Sequence, residues 1–391
     1  MFSHLPVLLS NLNGVESPLH LNFAHKFRKS NVFIVQMRYN RAEVIKMNKE
    51  FLYTLLDSMS VSGNEIPLQK KVIEEMTPYC DEILTDYTGN VISVLNKDAK
   101  FKVMLAAHID EIGLIITHIQ ENGFIKVSKA GGIYPAVYPG HQVVIHSANG
   151  PVYGAVLCTR ALMKGEVKDS DITIDIGAKN KEDALKYVSI GDPVHLNTYH
   201  QELTNNHLSA RAVDDRGCAF IILEALKRAK EKGCQIGVYA ATTVGEETTM
   251  RGAHWAGSRI NPDVAIAVDV TFAQDYPGTN PQESGDVHLG QGPVICNSSM
   301  ANKKVNELLK NTANKNNLPY QIETFIGRTG TDADRLHFAG NGIVTALLSL
   351  PLRYMHCPAE VCHLDDIENS IELLAEFLCQ INEDTDLDPF H

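Results

Sequence analysis

Val238–Gly252 reads VYAATTVGEETTMRG. Val238–Val244 is apolar or β-branched on both alternating sets of positions, the pattern of a strand buried on both faces in a parallel sheet. Gly245 supplies a sharp exit, and two adjacent carboxylates, Glu246 and Glu247, follow. In open α/β sheets ligands bind outside the carboxyl ends of the strands, so the pair belongs at the rim of a site. Neighbours on a strand point to opposite faces, but a turn after Gly245 can aim both inward. Two close carboxylates repel and stay ionised together at low cost only beside a cation. The alternative is a solvated pair at a helix start, favoured by the helix dipole. The rest of the chain has to decide between the two.

Outward from this stretch, the same grammar recurs. The strand KVMLAAHIDEIG (Lys102–Gly113) ends in His108 and Asp110, two apart and so on one face, where Asp110 can orient the His108 ring. SARAVDDRGCAF puts Asp214 and Asp215 just before the amphipathic helix CAFIILEALKRAKEK, a position that a helix N-terminus also favours. DVAIAVDVTFA places Asp269 at the end of another apolar strand, where burial is expensive unless the carboxylate is paired or metal-bound. SLPLRYMHCPAEVCHL places His356 after the strand Ile343–Leu350, with His363 as a nearby competitor. Each motif alone has a structural explanation. Together they put imidazoles and carboxylates at the carboxyl ends of strands in one α/β domain, a donor set suited to zinc, cobalt or manganese.

Between Ile112 and Asn205 the texture changes to short alternating strands and turns: GFIKVSKAGG, HQVVIHSANG, PVYGAVL, DITIDIGA and GDPVHLNT. This predicts a small β-barrel, residues 114–203, inserted into an α/β domain made of residues 47–113 and 204–391. The expected class is α/β, a mixed, mostly parallel sheet flanked by helices. Residues 1–46 contain only two acidic residues, Glu16 and Glu43, and little periodicity. We expect the native start at Met47, where MNKEFLYTLLDSMSVSGNE begins a helical pattern; Glu43-Val44 is encodable as a ribosome-binding sequence. The earlier residues are then translated leader or a disordered extension.

The chain has 391 residues, 44% of them hydrophobic, enough for a large core. A net charge of −12 argues against nonspecific binding to nucleic acid or to an anionic membrane, and no apolar run has the length of a membrane span. Eight scattered cysteines without a CxxC pair fit a reducing, cytosolic location.

The ordered set HIDEIG, AVDDRG, GEETTMRGA, AVDV, GTDADRLH and LRYMHCPAE resembles the glutamyl-aminopeptidase-like, or tetrahedral aminopeptidase, family of dinuclear metallopeptidases, some members of which carry an endoglucanase label. The resemblance runs from about Met47 to the C-terminal helix IENSIELLAEFLCQI and includes the position of the insert. It implies a zinc-exopeptidase-like fold and two divalent ions per subunit. It assigns His108 and Asp269 to one ion, Glu247 and His356 to the other, and Asp214 as bridge. Glu246 is then general base and general acid toward a metal-activated water, and Asp110 supports His108. The implied substrates are peptides with a free N-terminus, and the implied assembly is a homo-oligomer, commonly of twelve subunits, with the insert at its contacts. Asp334 and Arg335 depart from the small residues that many relatives carry after GTD, next to the substrate pocket. Two other readings remain open at this level: an endoglucanase-type glycoside hydrolase, which needs two carboxylates and no metal pair, and a catalytically silent scaffold.

Overall fold

A computed structural model describes residues 47–282 and 285–391. The expectation of a leader before Met47 lies outside the described residues. The main sheet has eight strands, in the order Glu82–Thr85, Val91–Leu95, Gly237–Thr243, Lys102–His108, Val264–Phe272, Val344–Leu352, Val294–Cys296 and Gln321–Glu323. Its four middle strands, from Gly237–Thr243 to Val344–Leu352, run parallel. The outer pairings are antiparallel except the last. The sheet is therefore mixed, as expected, with its parallel part at the centre.

Strand parity explains the layers. Val103, Leu105 and Ala107 face one core, with Val238, Ala240, Val264, Ile266 and Val268. Met104 and Ala106 face a smaller core on the other side, with Tyr239, Ala241, Ala265 and Ala267. Both faces being apolar, the strands read as continuous hydrophobic runs. The larger core is roofed by helices Lys49–Asp57, Ile66–Met76, Val213–Glu231, Lys303–Lys315 and Leu364–Gln380. The first of these shows the local logic: Asn48 caps it by accepting the Phe51 N–H, and Phe51, Leu52, Leu55 and Leu56 form its buried stripe. Each such fully buried side chain contributes roughly 1.5–3 kcal/mol. The smaller core is covered by Arg251–Ile260, through Ala253, Ala256 and Ile260, and by the turn Ala333–Leu336.

The predicted β-module is a closed six-stranded barrel. Its strands follow the order Gly113–Ile119, Ile125–Ala130, Thr173–Asp175, Gly150–Val156, Gln142–Ser147, Pro193–Leu196. Leu114, Ile116, Ile125, Val143, Ile145 and Val194 fill its interior. Closure pairs the edges that an open sheet would expose. After the barrel, Gln201–Glu202 and His207–Ala210 form a small antiparallel sheet with Glu360–His363. Three short strands of the main sheet, Glu82–Thr85, Val294–Cys296 and Gln321–Glu323, have no counterpart among the strands expected from sequence, because three or four residues carry no readable alternation. Among the described residues, no helix is long and apolar enough to cross a membrane.

Candidate active site

The site forms on the smaller-core face at the carboxyl ends of the parallel strands. His108 is the last residue of its strand. Asp269 is not at its strand's end as expected; the strand continues three residues further, to Phe272. In parallel register Ala106 lies opposite Ala267, so His108 and Asp269 follow two residues on, side by side on one face. Gly245 turns the chain with φ +66°, a conformation that L side chains avoid, and Glu246–Thr249 then makes one helical turn. The amides of Glu246 and Glu247 donate to the two Asp110 carboxylate oxygens at 3.0 and 3.3 Å. One fully buried carboxylate therefore fixes both glutamates at the strand end. Toward His108, the backbone oxygen of Asp110 lies 3.1 Å from Nδ1 and its carboxylate 3.6 Å. The ring is thus oriented from both, with Nε2 directed into the site.

Asp214 and Asp215 precede the regular part of helix Val213–Glu231, since their own backbone angles are non-helical. Asp214 lies between the two histidines. Its Oδ1 is 3.2 Å from His108 Nε2 and its Oδ2 is 3.1 Å from His356 Nε2. His356 Nε2 is 3.6 Å from Glu247 Oε1, and His108 Nε2 is 3.8 Å from Glu246 Oε2. Donor atoms sharing one tetrahedral ion at the usual bond lengths are separated by roughly 3.4 Å, and these four separations bracket that value. Two groups among the described residues bring ligand atoms within 4.8 Å of one another: His108, Asp214 and Glu247, and His108, Asp215 and Asp269.

The electrostatics agree. Asp215 Oδ1, Glu246 Oε1, Glu247 Oε1 and Asp332 Oδ1 are buried without a hydrogen-bond partner. Burial, then neighbouring carboxylates, push Glu246, Glu247 and Asp215 well above the ordinary carboxylate range. Burial also raises Asp269 to about 8. For Asp214, burial acts upward, but the two imidazoles outweigh it and hold the carboxyl low. Unpaired buried carboxylate oxygens around two imidazole nitrogens are costly alone and are satisfied by cations.

The structure brings together every site residue expected from sequence: His108, Asp214, Glu246, Glu247, Asp269 and His356 line one space, and buried Asp110 supports His108 and the two glutamates from behind it. The competitor His363 is not. It accepts the Asp365 N–H at the start of the C-terminal helix and packs edge-on against His207. Asp334 is buried and accepts from the Thr329 amide and hydroxyl and the Gly330 amide, which shapes the loop lining the site. Arg335 is exposed.

Asp215, named from sequence without a role, and three contributors that the sequence reading did not single out complete the site. Asp215 accepts the His108 N–H at 3.0 Å. Buried Glu360 accepts the amides of His356 at 2.8 Å and Asp214 at 3.2 Å, tying the two together. Asp332, raised to about 6 by burial, accepts the Thr243 hydroxyl and keeps its other oxygen buried without a hydrogen-bond partner. Gly132, on the barrel side, offers its carbonyl to His356 Nδ1 at 2.9 Å. A Cβ on Gly132 would lie 3.0 Å from that ring, and one on Gly131 3.2 Å from Glu247. Both approaches depend on glycine. Glu360 and Asp332 sat inside quoted motifs, PAE and GTD; Gly132 had no signal beyond a Gly-Gly turn. A cavity of about 300 Å³ opens over these groups and extends to Phe272, Glu323, Phe325 and Leu347.

Known proteins share this architecture. The model of the family described as M42 glutamyl aminopeptidase matches residues 89–373. A putative aminopeptidase of Acetivibrio thermocellus is 38% identical, over 85% of this chain and 100% of its own length. The lysyl aminopeptidase of Pyrococcus furiosus is 32% identical, over 84% of this chain and 96% of its own. Among solved structures, the TET aminopeptidase of a marine-sediment Thaumarchaeota archaeon superposes with TM-score 0.81 at 30% identity, covering 86% of this chain and 97% of that one. The Pyrococcus horikoshii TET1 peptidase, described as assembling into a tetrahedron or a large octahedral shell, gives TM-score 0.77 at 29% identity, covering 85% and 99%. On these matches and on this site, the chain belongs to the M42 glutamyl aminopeptidase family and is a metallo-aminopeptidase, a peptide hydrolase.

Proposed function

We propose that the chain removes N-terminal residues from peptides with two divalent ions, zinc foremost and cobalt or manganese next. His108 and Asp269 would hold one ion and Glu247 and His356 the other, with Asp214 serving both. The observation that carries this is Asp214 set between two imidazole nitrogens, one oxygen toward each, at 3.2 and 3.1 Å. Bound there, such ions lower the pKa of water from about 16 towards 7 and polarise a carbonyl.

The remaining steps belong to side chains. Glu246 has a buried, unpaired oxygen and a carboxyl whose proton affinity is raised by burial. It takes the proton of the attacking water and returns it to the leaving amine. Asp110 keeps Glu246 in place through its amide. The surrounding carboxylates attract the substrate's free ammonium group, which favours an N-terminal substrate.

The family membership sets aside the endoglucanase reading. A glycosidase site also gives no role to two histidines around a carboxylate. A silent scaffold is disfavoured because every group the reaction needs is present. The likeness to assembling TET peptidases supports a closed homo-oligomer of twelve subunits, with residues 114–203 as a contact module. The cysteine usage supports a cytosolic location.

Hydrolysis of chromogenic aminoacyl amides, with and without chelator, tests the reading together with elemental analysis. Glu246→Gln is expected to retain two ions and lose about 10²–10⁴-fold or more in kcat. Wild-type turnover in that variant, or chelator-resistant activity, would refute it.

A further inference from the structure

We propose that Glu323 forms the floor of the subsite for the substrate's N-terminal side chain, and that the side chain selected is an apolar stem ending in a cation, as in lysine and arginine. This rests on the aminopeptidase reading above and names its substrate class.

Glu323 ends the edge strand Gln321–Glu323 and lines the same cavity as the candidate metal ligands. It is 1% exposed. Its Oε1 accepts the Ser349 hydroxyl at 2.9 Å and its Oε2 accepts the Thr271 hydroxyl. Ser349 lies in register with Asp269, and Thr271 is two residues beyond Asp269 on one face. The carboxyl is therefore fixed beside the reacting centre by two strands that also build that centre.

Two hydroxyl donors leave half of a carboxylate's roughly four acceptor sites unused. They supply no positive charge. No Lys or Arg lines the cavity among the described residues. An uncompensated carboxyl so placed is expensive, and burial raises it to about 7. A ligand ammonium or guanidinium provides the missing charge and donors. Phe272, Phe325, Leu347 and Met355 line the cavity and suit a methylene stem. Length is not limiting, because an adjoining cavity of about 820 Å³ shares Thr271, Phe272 and Phe325. An aspartyl or glutamyl side chain would meet another carboxyl with no cation to receive it, a repulsive element against that class.

The test compares kcat/KM for lysyl, arginyl, leucyl and glutamyl chromogenic amides in metal-loaded wild type and Glu323→Gln. Wild type is expected to prefer the basic substrates and reject the glutamyl one. In Glu323→Gln the lysyl-to-leucyl ratio is expected to fall at least tenfold. If Glu323 only links three strands, all substrates decline together and the ratio stays, which overturns the proposal. A second measurement needs no variant: lysine and norleucine, alike except for the terminal amine, compete against the leucyl substrate of wild type. Lysine inhibiting at tenfold lower concentration supports the proposal. Equal or stronger inhibition by norleucine overturns it even if Glu323→Gln does not fold. Wild type that cleaves none of the four amides would sink the aminopeptidase reading itself, whereas cleavage with a glutamyl preference would sink only the assignment of Glu323.

Discussion

Glu111→Gln is expected to destabilise the fold by about 3–5 kcal/mol. Glu111 is 1% exposed and sits between two guanidinium groups. Its Oε1 accepts Arg216 Nη2 at 2.6 Å and the Ser60 amide at 3.1 Å, and Arg211 Nη1 binds Oε2. Arg216 is fully buried and also donates to the carbonyls of Leu55 and Leu56 at 3.2 Å. The cluster therefore joins the end of the first helix to the segments carrying Asp110 and Asp214. Burial alone would raise the Glu111 carboxyl, but Arg211 and Arg216 outweigh it and bring it from 4.5 down to about 2. A depression of that size corresponds to roughly 3 kcal/mol of stabilisation. Because the folded value is the lower one, this stabilisation is complete above pH 4.5 and disappears as pH falls through about 2. The amide removes the attraction and leaves two buried cations facing a neutral group, hence the upper end of the range. Urea unfolding followed by circular dichroism would show a lower midpoint for the variant at pH 7, and a gap that narrows between pH 4.5 and 2. Equal midpoints at pH 7, or a gap that widens as pH falls, would refute the electrostatic account.

Two further outcomes follow from the geometry of the candidate metal centre. Asp214→Ala is expected to lose both ions, because its oxygens face both histidines, whereas Glu247→Ala should retain more metal; equal metal per subunit by elemental analysis would remove the bridging assignment. Gly132→Ala places a Cβ 3.0 Å from the His356 ring, which takes its orientation from the Gly132 carbonyl. Metal affinity is expected to fall about 10–100-fold, as for other groups that orient a ligand, and an unchanged binding isotherm would show that His356 is held without the barrel.

Sequence carried the central strands and the chemistry at their ends because both faces of those strands are covered. Residues 103–107, 237–243 and 264–268 include no charged side chain, so the first carboxylate or imidazole after each stands out. The barrel was legible for the opposite reason, five short alternating strands with turn residues between them. Glu323 was not, because a three-residue edge strand has no period and its meaning comes from Thr271 and Ser349 on other strands. Glu360 was hidden in the same way: its carboxylate acts through the Asp214 amide, 146 residues away in sequence.

The adjacency of Glu246 and Glu247 then has a structural cause. Asp110 accepts both of their amides, so the backbone of the turn cannot rotate one glutamate outward without losing a buried charge-assisted hydrogen bond. A solvated pair at a helix start would have no such anchor and would leave its carboxylates in water. Here each keeps a buried oxygen without a hydrogen-bond partner, and Glu246 Oε2 and Glu247 Oε1 lie 3.8 and 3.6 Å from the His108 and His356 nitrogens. The local backbone imposes the repulsion, and a cation between these groups or a proton on one of them relieves it. The placement of the pair therefore depends on Asp110 as much as on the glutamates themselves, and it is what the proposed roles of Glu247 toward a cation and Glu246 toward a proton require.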